Sequence, residues 1–223
     1  MTTTPANKPF ALTAFLDLRA LKAAALGCIQ KDSDQPYRGA FHCVALDISP
    51  AAIVAVGLSG HKMVAAYAGE GITDVKPQTL LIPRKIIDKI KLGKTGNCTL
   101  QIAGLKNGYG SFLARGLKGA LSYDGVVLSF DFQDEVFPQW RQLYDAKPAT
   151  GEAAQYNAVV MADVQKAYNL FFEKKTKNDY IRVLHNGNNP TRVVFEGINA
   201  FAVVMPLNLK DDSSPSLPEW AIA

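Results

Sequence analysis

Apolar positions in this chain switch between a two-residue and a helical period, and they do so three times in the same order. Residues 10–15 read as a strand. Asp17 then heads a helix whose Leu18, Leu21, Ala25, Leu26 and Ile29 fall at helical spacing, and the polar run 31–36 breaks it. Strands follow at 40–48, 53–58 and 62–67, parted by Ser49-Pro50 and Ser59-Gly60. The second copy opens with a strand at 79–82. Pro83 begins its helix, which carries Ile86, Ile87, Ile90 and Leu92 and stops at Gly93, the expected placement of proline and glycine. Strands at 98–103, 111–115 and 126–132 complete it, with glycine-rich turns at 104–110 and 116–125. The third copy predicts a strand at 156–161 and a helix at 162–174 that buries Val164, Ala167, Tyr168, Phe171 and Phe172. Strands at 180–184, 191–195 and 201–207 then close it.

Repeated βαβββ units of this kind predict an α+β fold, with helices on one side and sheets on the other. Residues 1–9 read as a disordered arm, 10–144 as a domain of two units, 145–154 as a linker, 155–209 as a half domain and 210–223 as a tail. The wet helix faces are basic in places. The second helix and its exit carry Arg84, Lys85, Lys89, Lys91 and Lys94 against Asp88. The third carries Lys166, Lys174, Lys175 and Lys177 against Asp163 and Glu173, and Arg19 and Lys22 sit on the first. Each face alone is an ordinary solvated surface. Three with the same bias favour contact with phosphates, which needs point charges and no reading of bases.

Composition narrows the remaining classes. Apolar residues at 48% and charged ones at 20% are those of a folded globular protein, and the net charge of +4 is compatible with a polyanion without requiring one. No run reaches the roughly 18 apolar residues that a membrane span needs, and the opening MTTTPANKP lacks the apolar stretch of a signal peptide. A cytoplasmic protein with no membrane partner is expected. Cys28, Cys43 and Cys98 are odd in number and far apart, which predicts buried free thiols. His42, His61 and His185 have no second ligand at useful spacing, and no nucleophile elbow accompanies any serine. Gly93-Lys94-Thr95 ends like a phosphate loop, but Asp88 stands where the first glycine belongs. No catalytic residue, metal or cofactor is expected.

Four segments carry a resemblance. Ser59-Gly60-His61-Lys62-Met63 follows the third strand, and Leu81-Ile82-Pro83-Arg84-Lys85 leads into the second helix. Phe130 to Arg141 leaves the second unit through Phe137-Pro138-Gln139-Trp140, and Val203-Val204-Met205-Pro206-Leu207-Asn208-Leu209 closes the third. In order and spacing they resemble the Thr-Asp-Gly-His-Arg-Leu turn, the Val-Pro-Arg-Lys helix start, the Phe-Pro-Asp-Tyr exit and the Val-Met-Pro-Met-Arg-Leu ending of the bacterial DNA polymerase III beta subunit, the sliding clamp. Residues 10–140 then correspond to that family's middle domain and 155–209 to the second half of its last one. The family's first domain and the opening half of its third have no counterpart here, and Ser59 stands where its turn has aspartate.

The resemblance implies a non-enzymatic accessory protein of DNA replication or repair. Double-stranded DNA would meet Arg19, Lys22, Arg84, Lys85, Lys89, Lys91, Lys166, Lys174, Lys175 and Lys177. Peptides of a DNA polymerase or repair protein would dock in an apolar cleft formed by Met63, Pro83, Ile86, Ile87, Val203, Met205, Pro206 and Leu207. A homo-oligomer is expected, since a half domain leaves a sheet edge for a second copy. The alternative is a non-encircling adaptor or decoy that binds clamp-docking peptides or a host clamp.

Overall fold

The structure, a computed structural model, describes residues 8–29, 36–93, 96–106, 111, 116–144, 154–172 and 180–207. Most of the expected arm and linker and the whole tail lie outside them; Lys8 and Pro9, expected in the arm, pair with Lys106 and Leu105 as the start of a strand.

The first unit runs β1 (Lys8–Asp17), α1 (Leu18–Gly27), a 3-10 turn (Pro36–His42), then β2 (Cys43–Ile48), β3 (Ala52–Leu58) and β4 (Lys62–Glu70). The second runs β5 (Gln78–Pro83), α2 (Arg84–Asp88), β6 (Asn97–Lys106), β7 (Lys118–Tyr123) and β8 (Val126–Asp131). A short α3 (Arg141–Tyr144) follows. The third unit is α4 (Ala158–Asn169), β9 (Ile181–Leu184), β10 (Thr191–Phe195) and β11 (Ala200–Val204).

Each of the first two units lends its opening strand to the other. β1 pairs with β6 in a four-stranded sheet, β1-β6-β7-β8, and β5 pairs with β2. The third unit adds to the first through β4 and β11, making a seven-stranded antiparallel sheet in the order β5-β2-β3-β4-β11-β10-β9. Strand alternation divides the side chains at this junction. Val64, Ala66, Ala202 and Val204 join the main core under the helices. Met63, Ala65 and Val203 join a second cluster on the opposite face.

α1 begins where the Asp17 carboxylate accepts the Arg19 N–H at 2.7 Å. It is buried on most sides, leaving a strip of Arg19, Lys22 and Leu26 partly open, so it is not the broadly solvated helix the pattern suggested. Glycine permits the depth: a Cβ on Gly57 would lie 1.7 Å from the Ala24 carbonyl oxygen.

Three expectations are corrected. Residues 156–161 are not a strand: the Asn157 side chain accepts from Val159 N (2.9 Å) and Val160 N (3.4 Å) and starts α4 at Ala158. The β-branched pair Val159-Val160 misleads there, because the cap decides. α2 stops at Asp88, closed by tight bonds from Lys89 N to Ile86 O and from Ile90 N to Ile87 O. The turn expected at 116–125 holds a strand, Lys118–Tyr123, while 112–115 of the strand expected at 111–115 lie outside the described residues. Gly119 reads as a turn residue but serves packing, since a Cβ there would lie 2.4 Å from the Phe130 ring.

One ion pair ties the third unit to the first. Lys62, at the start of β4, reaches Asp163 on α4, and both side chains are buried; Lys166 Nζ adds a second contact to Asp163 at 3.2 Å. Burial alone would raise the Asp163 carboxyl, but the bonds and charges of Lys62 and Lys166 outweigh it and hold the group below its ordinary value. A lowered carboxyl stabilises the fold above its unfolded value of about 4, and that contribution fades as pH falls through the lowered one. Lys62→Met is expected to cost about 3–5 kcal/mol in urea unfolding, and Lys62→Met with Asp163→Leu to recover most of it. The decline of stability in acid should flatten in the double variant. Equal acid sensitivity in both proteins would show that Asp163 does not supply it.

Candidate functional site

Two surfaces bring the sequence-derived residues together. The first is the outer face of the seven-stranded sheet where β4 meets β11. Met63 stands opposite Val203 in the ladder, and Met205 N donates to His61 O at 2.9 Å, which carries the pairing into the turn. The chain leaving β8 crosses this face as a strap. Gln133 N donates to Leu81 O at 3.0 Å, and Phe137, Trp140 and Leu143 then pack onto Met63, Ala65, Leu81 and Val203.

A buried carboxylate anchors the strap. Trp140 Nε1 donates to Asp47 Oδ2 at 2.9 Å, Arg141 pairs with the same oxygen, and the Arg141 guanidinium lies 4.4 Å from the Trp140 ring centroid. On the far side Tyr144 stacks on Phe201 of β11 with centroids 4.4 Å apart, and Arg192 of β10 lies 5.5 Å from the Tyr144 ring. The strap therefore touches both units at the junction. A cavity of about 380 Å³ opens beside it, lined by Asp47, Gln78, Thr79, Phe137, Trp140 and Gln142 among others. Met205 and Leu207 are exposed at the end of β11 and Pro206 is half-buried.

Pro83, Ile86 and Ile87 do not reach this face. Ile86 and Ile87 are buried in the main core beneath the helices, because α2 packs on α1 on the opposite side of the sheet. Pro83 lines a separate cavity of about 450 Å³ with Ile29, His42, Cys43, Arg84 and Gln133. In their place the structure supplies Trp140, Leu143, Tyr144 and Phe201. The available signal was the large aromatic after Phe137-Pro138, an expensive residue to leave in a linker.

The second surface is the helix side. Lys22, Arg84 and Lys166 converge on a groove of about 380 Å³ between α1, α2 and α4, floored by Ala25, Leu26 and Leu170. Much of their charge is already engaged. Lys22 Nζ donates to Ile87 O (3.3 Å) and Asp88 O (3.4 Å), and burial pulls its pKa below the ordinary lysine value against the opposing charge of Asp88. Arg84 donates to Ile29 O and pairs with Asp88, both at 3.1 Å. Lys85, Lys89 and Lys91 are exposed, and Arg19 is half-buried on the same strip as Lys22. Lys174, Lys175 and Lys177 lie outside the described residues.

The three cysteines are buried thiols. Burial pushes Cys28 and Cys98 up to about 12 and Cys43 to about 11, far from thiolate reactivity at neutral pH. Among the described residues no group of three acidic, histidine or cysteine side chains could hold a metal, and no helix is long and apolar enough to cross a membrane.

No family model matches the sequence, and no curated protein matches it. Solved structures do. A DNA polymerase III subunit beta from Borrelia burgdorferi superposes with TM-score 0.62 at 11% identity, over 90% of this chain and 64% of that one. The DNA polymerase sliding clamp of Bacillus subtilis gives 0.61 at 11%, over 89% and 64%. That of Pseudomonas aeruginosa gives 0.61 at 13%, over 90% and 67%. Identities this low speak for the backbone and not for the site. The chain has the α+β fold of the DNA polymerase III sliding clamps and spans about two thirds of their length.

Proposed function

We propose that this chain is a clamp-type accessory protein of DNA replication or repair, which meets duplex DNA on its helix side and docks short apolar peptides of polymerases or repair proteins on its outer face. The observation that carries the reading is the clamp fold across about nine tenths of the chain, with its third unit joined through β4 and β11. The reading calls for no catalytic residue and no cofactor.

DNA contact of this kind is electrostatic and indifferent to sequence. Lys85, Lys89 and Lys91 are its natural agents, being exposed, with Arg19, Lys22, Arg84 and Lys166 in a lesser part; Lys174, Lys175 and Lys177, outside the described residues, join the reading from the sequence alone. Replacing Lys85, Lys89 and Lys91 by Ala should weaken plasmid retention and make the slope of log K against log salt shallower by about 0.9 per lost phosphate contact. An unchanged slope would remove the helix side from DNA binding.

Peptide docking uses the ground between the strap and the end of β11. Met63 and Val203 lie buried beneath the strap and support it, and Met205, Pro206 and Leu207 form the open side. Pro83, Ile86 and Ile87 are no part of it. A labelled docking peptide from a bacterial replicative polymerase should bind the chain, and Met205→Ala should weaken it by about 1–2 kcal/mol, or 5- to 30-fold. No binding by the unaltered chain would defeat the docking reading.

A second reading, a non-encircling adaptor, is favoured by the third unit. Its β9, which holds the sheet position that β2 holds in the first unit, has no strand on its far edge among the described residues. Encirclement then requires a second copy at that edge. Sedimentation at micromolar concentration should give a mass above one chain, with retention on circular but not linear DNA. A monomer retained equally on both would leave the adaptor.

A further inference from the structure

We propose that β8 is a self-recognition edge, on which β8 of a second copy of this chain pairs antiparallel across a two-fold axis at Leu128, an interface that requires neither DNA nor a docked peptide. Each unit ends on a strand: β4, β8 and β11. β4 and β11 pair with each other, and among the described residues no strand lies on the far side of β8. That edge is strongly apolar at its start, with Val127 62% exposed and Val126 42%. It holds an unbroken register with β7 and carries no lysine, proline or bulge of the kind that guards a free edge.

The β4–β11 ladder supplies the geometry. Its register pairs Val64 with Ala202, the third residue of each strand, and runs evenly outward from there, Met63 to Val203 and Ala65 to Phe201. The third residue of β8 is Leu128. On the same axis Leu128 meets its own copy, Val127 meets Ser129 of the second copy, and Val126 meets its Phe130. Side-chain faces agree with that register. Leu128 packs against the main core, as Val64 and Ala202 do, and its neighbours Val127 and Ser129 point to the opposite face. Backbone direction agrees as well. Phe132 N donates to Leu117 O at 3.1 Å, so the even-numbered residues here turn towards β7, and Val127 and Ser129 turn to the open edge. In the proposed register these two stand opposite each other and exchange both N–H to O=C bonds, with Leu128 at a non-bonded position. The β4–β11 ladder has the same parity: Met205 N bonds His61 O and Tyr67 N bonds Asn199 O, in step with Met63 and Val203. A slip of one residue would set core-facing side chains against outward ones. A slip of two sets Asp131 against Val127 in one direction and leaves Phe130 opposite the turn in the other. On the Leu128 axis Asp131 falls beside Gly125, where both are exposed to water.

The test combines sedimentation with a cysteine cross-link. The unaltered chain at micromolar concentration should sediment above the mass of one chain. Ser129→Pro removes a donor only from the open edge, where proline is tolerated, and should weaken the association by at least about tenfold. Leu128→Cys places a thiol about 4.5 Å, Cα to Cα, from its copy, within disulfide reach, while the chain's own cysteines are buried. With glutathione disulfide as oxidant, Leu128→Cys is expected to run as a covalent dimer. Val126→Cys, about 13 Å along the strand from its copy, should run as a single chain. A single-chain mass for the unaltered protein overturns the inference. So does an unchanged mass for Ser129→Pro, the result expected of copies held only at β9. Equal cross-linking of the two cysteine variants overturns the axis. Leu128 is half-buried, so the proline variant decides alone should Leu128→Cys not fold.

Discussion

The ladder between β4 and β11 makes one object of units that the chain builds separately, and its register leaves little freedom. Lys62 and Met63 are adjacent, so they must point to opposite faces. One enters the helix layer and pairs with Asp163; the other lies under the strap opposite Val203. A slip of one residue would put the ammonium beneath Trp140 and Phe137 and leave Asp163 buried without its lysine. Either outcome is costly. The pair thus fixes the register while contributing only modestly to net stability, and the surfaces on the two faces inherit their alignment from it.

The strap works by the same logic on the other side. Asp47 is buried in the middle of a sheet, which is tolerable only because Trp140 and Arg141 both meet its carboxylate. Holding Trp140 there commits the chain from Gln133 to Tyr144 to the outer face. Tyr144 then meets Phe201, a residue of the third unit. One polar anchor in the first unit positions an aromatic wall at the junction with the third, and that wall bounds the ground proposed for docking. The connection between units is part of the surface they form.

Much of this was legible in the sequence, for a definite reason. Period and punctuation place most strands, the Asp17 cap and the stop-and-start at Pro83, because those are local decisions. The errors fall where one specific contact overrules the average propensity of a segment. Asn157 outvotes the strand propensity of Val159 and Val160, Gly119 is demanded by the Phe130 ring, and α2 ends early because the chain turns to keep Ile90 buried. The outer face was half legible. Met63 and Val203 are assigned to it only through the family resemblance, which assigns Ile86 and Ile87 there as well, and those two lie on the helix side of the sheet. No periodicity marks Trp140 as a wall; only the cost of exposing it does.

The helix side shows why counting lysines overstates a charged surface. Lys22 is drawn to the carbonyls that end α2, Arg84 to Ile29 and Asp88, and Lys166 to Asp163 within α4, so three of the seven described cations on this side are engaged, two of them in holding α2 to α1 and the segment after it. Only Lys85, Lys89 and Lys91 stand clear into solvent. A surface with few committed phosphate partners binds weakly, and weak contact without base readout is what movement along a duplex requires, since every strong contact is a barrier to the next step. A strongly basic face would grip. The engaged charges thus serve the helix packing, and what they leave over is the part of this face open to the duplex contact proposed above.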